Sequence, residues 1–330
     1  MNKNLLRAGM LTLLLSVSIN AGAQTLCVFS LVGAQGPLWE MMTDYRLAAL
    51  EWGHELELRV LTDERVATED LKAGQCDGAL ITGIRARQFV PFSGSIDSIG
   101  GLHSYDAMEV MVALTAHPQL APSMRHGAWE TAGILPIGAA YLFLNDRTIT
   151  SVEKIAGRSM AVFDNDRAQI MMAEHIGMRP VLSDVSNFSS KFNNGVVDII
   201  AAPAVAYMPL ELYRGVGAHG LIINMPVAQL TMQLIVRSEQ FNSDMLQRSR
   251  RFFASQFQQV MLEVRRAEEE LLFFYPPPDQ DRARYEELMN DSRRFLVDAD
   301  IYDQDMMRWL KKARCKVSPQ RAECSTGSEW

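Results

Sequence analysis

Apolar and polar positions along the chain fall into blocks, and the blocks recur. Positions 26–32 are apolar apart from Ser30, which suits a strand buried on both faces. A turn-rich segment follows at 33–37. Leu38, Met41, Met42, Tyr45, Ala49 and Trp52 then return every three or four residues, as one face of a helix does. Positions 55–61 alternate, which points Leu56, Leu58 and Val60 to one side of a strand. A short helix over 68–73 and a strand over Gly78–Thr82 complete a β-α-β-α-β order, the order of a parallel sheet with covering helices.

The same unit returns downstream, with strands predicted over 159–163, 181–182 and 196–201 and helices over 167–176 and 187–193. In both copies the third strand is introduced by Gly-x-x-Asp, Gly74 to Asp77 and Gly195 to Asp198, with Lys72 and Lys191 shortly upstream. Two lobes of similar build follow from this repetition. Apolar segments 137–144 and 230–236 read as crossings from the first lobe to the second and back. The last third is helical. Met245, Phe253, Phe257, Val260, Val264 and Leu271 hold helical spacing up to a stop at Tyr275-Pro276-Pro277-Pro278. Two more helices are predicted near 282–296 and 304–313, before a polar tail from Ser318 that is expected to fray.

A chain of 330 residues exceeds what one core usually serves, in agreement with two lobes. Its net charge of −7 repels phosphate backbones and excludes nucleic acid as the expected partner. The nineteen methionines read as adaptable core filler. At the start, Lys3 and Arg7 precede a short apolar stretch and the small-x-small sequence Ala21-Gly22-Ala23. This is the layout of a cleaved signal peptide over residues 1–23, and it implies a protein exported to the periplasm.

Export places the four cysteines in an oxidising compartment, where two disulfides are expected and three pairings are possible. Cys27 near the start of the first strand and Cys76 just before the third lie at one end of a parallel sheet. Cys315 and Cys324 are close neighbours in the tail. Cys27–Cys76 and Cys315–Cys324 are therefore the expected bridges.

Enzyme signatures are missing: there is no GxSxG, HExxH, P-loop or GxGxxG, and the six histidines are scattered. The reading is a binding protein, with no enzyme activity, no metal and no cofactor. Two lobes joined by crossing strands form a crevice, lined by residues just past the strand ends at 31–35, 63–65, 82–87, 164–167 and 202–207. Arg85 and Arg87 are candidate ligand-binding groups, with an ion pair to Asp97 or Asp63 as the plainer reading. Tyr141 and Tyr207 are candidate side walls, set against simple packing. Asp164 and Asp166 could meet a cationic ligand, and Asp164 also suits a helix N-cap.

Residues 147–203 resemble the second-lobe core of TRAP-type (DctP-like) periplasmic solute-binding proteins. The shared features are a Ser-x-Glu-Asp/Lys-Leu-x-Gly opening, here Ser151 to Gly157, and the closing Gly195 to Asp198. The segments Asp63-Glu64-Arg65, Lys72 to Gly78, Arg85 to Phe89, Ser93 to Asp97, Lys191 to Gly195 and Ala313-Arg314-Cys315 resemble the AdeT-like solute-binding proteins of Gram-negative bacteria. The resemblance implies an α/β, two-lobed periplasmic-binding-protein clamshell with crossing hinge strands and a helical C-terminal region. Lobe I would span 24–136 and 237–330 with the C-terminal helices, and lobe II 137–236 with the crossing strands. The implied function is capture of a small solute and delivery to a membrane transporter, a TRAP-type permease. The alternative is an envelope accessory protein associated with drug (aminoglycoside) efflux, without solute uptake. One departure bears on the ligand. The family's carboxylate-clamping arginine, four positions after the opening glycine, is Ala161 here, and Ala202 replaces the usual asparagine before Pro203. The family's preference for organic acids is therefore not expected to carry over.

Overall fold

The computed structural model describes residues 22–325. The expected leader therefore lies outside the described residues, apart from Gly22 and Ala23.

In chain order the first half holds β1 (Gln24–Phe29), α1 (Gly36–Glu51), β2 (Leu56–Leu61), α2 (Glu64–Ala73) and β3 (Gly78–Thr82). Two single-turn helices follow, α3 (Gly83–Ala86) and α4 (Pro91–Gly94), then α5 (Tyr105–Thr115) and the two-residue β4 (Arg125–His126). The long β5 (Trp129–Leu144) leads to α6 (Val152–Ile155), β6 (Ser159–Phe163), α7 (Arg167–His175), β7 (Arg179–Ser183), α8 (Phe188–Asn193) and β8 (Ile199–Pro203). After α9 (Tyr213–Val216) the equally long β9 (Leu221–Arg237) returns. It is followed by α10 (Ser243–Ser255), α11 (Phe257–Glu269), β10 (Phe274–Tyr275), α12 (Asp279–Asp298), α13 (Gln304–Val317) and α14 (Ala322–Ser325).

All strands join one sheet, whose main path is β2-β1-β3-β9-β5-β8-β6-β7. Each half repeats one plan. The first strand of the unit sits between the second and the third, all parallel, and a long antiparallel strand flanks the third. The α/β two-lobed architecture is thus present, and its halves meet along β5 and β9.

The repeated Gly-x-x-Asp explains part of this symmetry. Gly74 and Gly195 take φ of +74° and +70°, the left-handed conformation that ends a helix cheaply only for glycine. Three residues on, each aspartate reaches the start of its half's central strand. Asp77 Oδ2 accepts from Thr25 N–H at 2.8 Å, and Asp198 Oδ2 accepts from Ser159 N–H at 2.8 Å. Lys191 donates to Leu182 O, whereas Lys72 pairs with Glu69 and lies over the Phe89 ring, so the lysines share no role.

Several elements differ from the sequence reading. The crossing strands start earlier than expected, at Trp129 and Leu221, and in β5 the polar positions of the added stretch are satisfied by tertiary contacts. Glu130 pairs with Arg250 at 2.8 Å, and Thr131 Oγ1 lies 2.7 Å from Ser93 Oγ. The helix expected to run to the proline stop is two helices, interrupted at Gln256 and finished by Glu269. Both pack on β5, whose register shifts three times against β9, so the helical layer bends with the strand beneath it. The tail does not fray within the described residues: Glu323 pairs with Arg314 at 2.6 Å, on the same short segment as a disulfide.

Both expected bridges are formed. Cys27–Cys76 spans 5.9 Å between Cα atoms and Cys315–Cys324 spans 5.5 Å. The first sits in the core and the second pins the C-terminal helices. No described helix is long and apolar enough to cross a membrane.

Candidate functional site

Between the two halves lies a cavity of about 820 Å³. Two parallel pairs of strands, running opposite to one another, end on it: Phe29 of β1 with Ser30 just beyond it, Thr82 of β3, Phe163 of β6 and Pro203 of β8 all contribute to its walls. Loops beyond strand ends are where open α/β sheets place ligands, and the crossing strands supply the floor through Leu135, Pro136 and Leu230. Most of the lining is aliphatic side chains and methionine. Of the predicted crevice segments, 63–65 contributes nothing to the lining.

The polar centre of the cavity is built locally. Thr82 caps α3 by accepting from Arg85 N–H at 3.3 Å, which turns the chain so that Arg85 and Arg87 leave the short helix toward the other half of the sheet. Arg87 Nη1 donates to Asp166 Oδ1 at 3.0 Å, its Nε donates to Gly94 O at 3.2 Å, and its guanidinium stacks 4.9 Å from the Tyr302 ring. Arg85 lies 3.1 Å from Glu64 Oε2 and donates to Asn165 Oδ1 at 3.0 Å. Both arginines thus reach the β6–α7 loop across the cleft. The ion-pair alternative holds in kind, but its partners are Glu64 and Asp166 rather than Asp63 and Asp97. Asp63 instead caps α2.

Asp97 faces the same cavity and is 5% exposed. Its oxygens accept from Thr231 N–H at 3.0 Å and Thr231 Oγ–H at 2.6 Å. Burial pushes its carboxyl up to about 7, against the lowering effect of those bonds and of Arg87. Burial also raises the Tyr302 phenol, to about 12.

The remaining candidates fall elsewhere. Tyr141 is buried and donates to Glu268 Oε1 at 2.6 Å, beside Tyr105, outside the cavity lining. Tyr207 packs with Phe143 and Leu212 in the smaller of the two apolar clusters. Asp164 is exposed, and its N–H donates to Ser183 O at 2.9 Å. The α7 cap is Asp166, which accepts from Ala168 N–H at 3.0 Å, so the N-cap reading belongs two residues further on. Of the six candidates, Arg87 and Asp166 line the cavity. Asp97 and Thr231 were not singled out as site residues: they come from segments far apart in sequence, and only the β3–β9 pairing brings them together. Ala161, at the family arginine's position, packs with Tyr141, Phe188 and Ala202. Among the described residues no group of three or more His, Cys, Asp or Glu could hold a metal ion.

A sheet built of two similar halves, with a cavity at the strand ends between them, defines a solute-binding protein of the two-lobed kind. The TRAP periplasmic solute-binding protein of Desulfovibrio salexigens with bound orotic acid shares this fold, with a TM-score of 0.72 at 15% identity over 89% of this chain and 99% of that one. The corresponding protein of Anaerococcus prevotii with bound D-glucuronate does so with a TM-score of 0.71 at 12% identity, over 91% and 100%. More specifically, the sequence profile for "Solute-binding protein AdeT 1/2" matches residues 46–329, and the chain belongs to that family. "Probable solute-binding protein AdeT1" of Acinetobacter baumannii is 40% identical over 304 residues, covering 92% of this chain and all of the relative. "Probable solute-binding protein AdeT2" of the same organism is 24% identical over 236 residues.

Proposed function

We propose that the protein is exported to the periplasm by cleavage after residue 23, captures a small solute between its lobes, and delivers it to a TRAP-type membrane permease. The lobes meet where β5 and β9 cross, dividing the chain at 24–136 and 237–330 against 137–236. The observation that carries this reading is the cavity at the ends of β1, β3, β6 and β8, in a fold shared with solute-bound TRAP proteins. A binding role also fits the absence of any enzyme signature from the sequence.

One observation favours a second reading. The cleft is bridged by Arg87–Asp166 and Arg85–Asn165, contacts the chain makes with itself. A cleft bridged by the chain's own side chains suits an envelope accessory, acting through protein contacts in drug efflux and taking up nothing. Native mass spectrometry of protein purified from the periplasm separates the two. A non-covalently bound small molecule is expected, and a consistently empty protein would overturn solute capture.

A further inference from the structure

The charged groups lining the cavity do not balance. Among the described residues Arg87 is its only lining cation, and five carboxylates line it: Asp97 and Asp166 deep inside, Glu40, Asp44 and Glu263 further out. Asp166 already holds Arg87, and both are buried, so a ligand carboxylate would gain Arg87 only by stranding Asp166. Asp97 is different. It is bound by Thr231 through two hydrogen bonds and has no ion-pair partner within 4 Å among the described residues. A carboxylate oxygen has room for more than one donor, so Asp97 retains capacity for a cation entering from the cavity. Elsewhere in the lining, Met41, Met160, Met172, Met178, Met232 and Met289 give the cavity walls an adaptable apolar surface.

We propose that the cavity takes an amphiphilic cation, an apolar body against the methionine-rich walls with its ammonium group on Asp97, and rejects carboxylates because Asp166 occupies Arg87. This rests on the solute-capture reading and names its ligand class. It also separates this chain from solved neighbours that hold orotic acid and glucuronate. The groups acting on Asp97 are Thr231 from β9, Arg87 and Asp166.

Three probes of equal chain length test the idea: decylamine, decan-1-ol and decanoate, titrated calorimetrically into the mature protein below their micelle concentrations. At pH 8 decylamine should bind at least about tenfold more tightly than decan-1-ol, the worth of a hydrogen bond to a charged group, and decanoate should be weakest. Asp97→Asn should abolish the preference for amine over alcohol. A second arm needs no variant. An alkylamine stays protonated below about pH 10, whereas Asp97 ionises near 7, so decylamine affinity should rise up to about tenfold from pH 6 to pH 8. Decan-1-ol affinity should not change. Decanoate binding as tightly as decylamine, no binding of any probe, or an amine preference that survives Asp97→Asn and is flat with pH would each overturn the ligand class. Solute capture itself stands or falls separately, on the mass of protein taken from the periplasm.

Discussion

Asp77 and Asp198 hold the central strand of their respective halves by accepting the N–H of Thr25 and Ser159. Burial works to raise the Asp198 carboxyl, but the Ser159 N–H and hydroxyl outweigh it and leave the group below its ordinary value. Asp198→Ala should therefore cost about 1–3 kcal/mol at neutral pH, the price of an orphaned donor. A depressed carboxylate stabilises the fold above its unfolded pKa and stops doing so as pH falls through the folded value. The gap in urea midpoint between wild type and Asp198→Ala should be full at pH 7 and close below about pH 4. A gap that widens in acid would contradict a carboxylate role. The Gly-x-x-Asp repeat was legible in sequence because it is local. The partners of Arg85 and Arg87 were not. Strand-end position marks these arginines, but nothing local distinguishes Asp166 from other carboxylates until the halves are brought together.

At the scale of elements, the strands over 78–82 and 159–163 were legible to the residue and the other short strands with ends displaced by up to three residues, since each is an apolar run bounded by glycine, proline or charge. β5 and β9 were legible only in their apolar ends. The added stretch of β5 carries Glu130 and Thr131, residues that make sense in a strand only when a distant side chain meets them, here Arg250 and Ser93. Helix α5 carried no assignment in the sequence reading, although Ser104 caps it by accepting from Ala107 N–H at 3.2 Å. The disulfides tie elements together over very different loops, with separations of 49 and 9 residues. In the chain-entropy account, removing Cys27–Cys76 should cost roughly 4 kcal/mol and removing Cys315–Cys324 nearer 3 kcal/mol. Paired serine substitutions compared by thermal unfolding should show the larger loss for Cys27 and Cys76. Equal losses, or a mixed Cys76–Cys315 peptide in unreduced digests, would contradict this.

For the whole molecule, an ion pair and one hydrogen bond join Arg87 and Arg85 to the β6–α7 loop, and α12 adds His175–Asp291 at 3.1 Å and a hydrogen bond from the Tyr285 hydroxyl to Thr150 O at 3.1 Å. Domains of this kind open by hinge motion, and the strands that cross between the halves are the only covalent path. Asp166→Ala should leave Arg87 without its counter-charge and shift the ligand-free protein toward open forms. Small-angle scattering should then give a larger radius of gyration than wild type, with circular dichroism unchanged. An unaltered radius would mean that other contacts hold the cleft.

The sheet order also governs when the chain can fold. β3 takes its inner neighbour from β9, and β5 is bounded by β9 and β8, so neither half finishes its sheet from contiguous sequence. During synthesis, everything up to residue 220 emerges before the strand that closes the edges of Gly78–Thr82 and Trp129–Leu144 exists. A chain interrupted there would present two unpaired, largely apolar edges, the form of strand most prone to join another chain. Completion of β9 is the event that turns two half-built sheets into a single molecule.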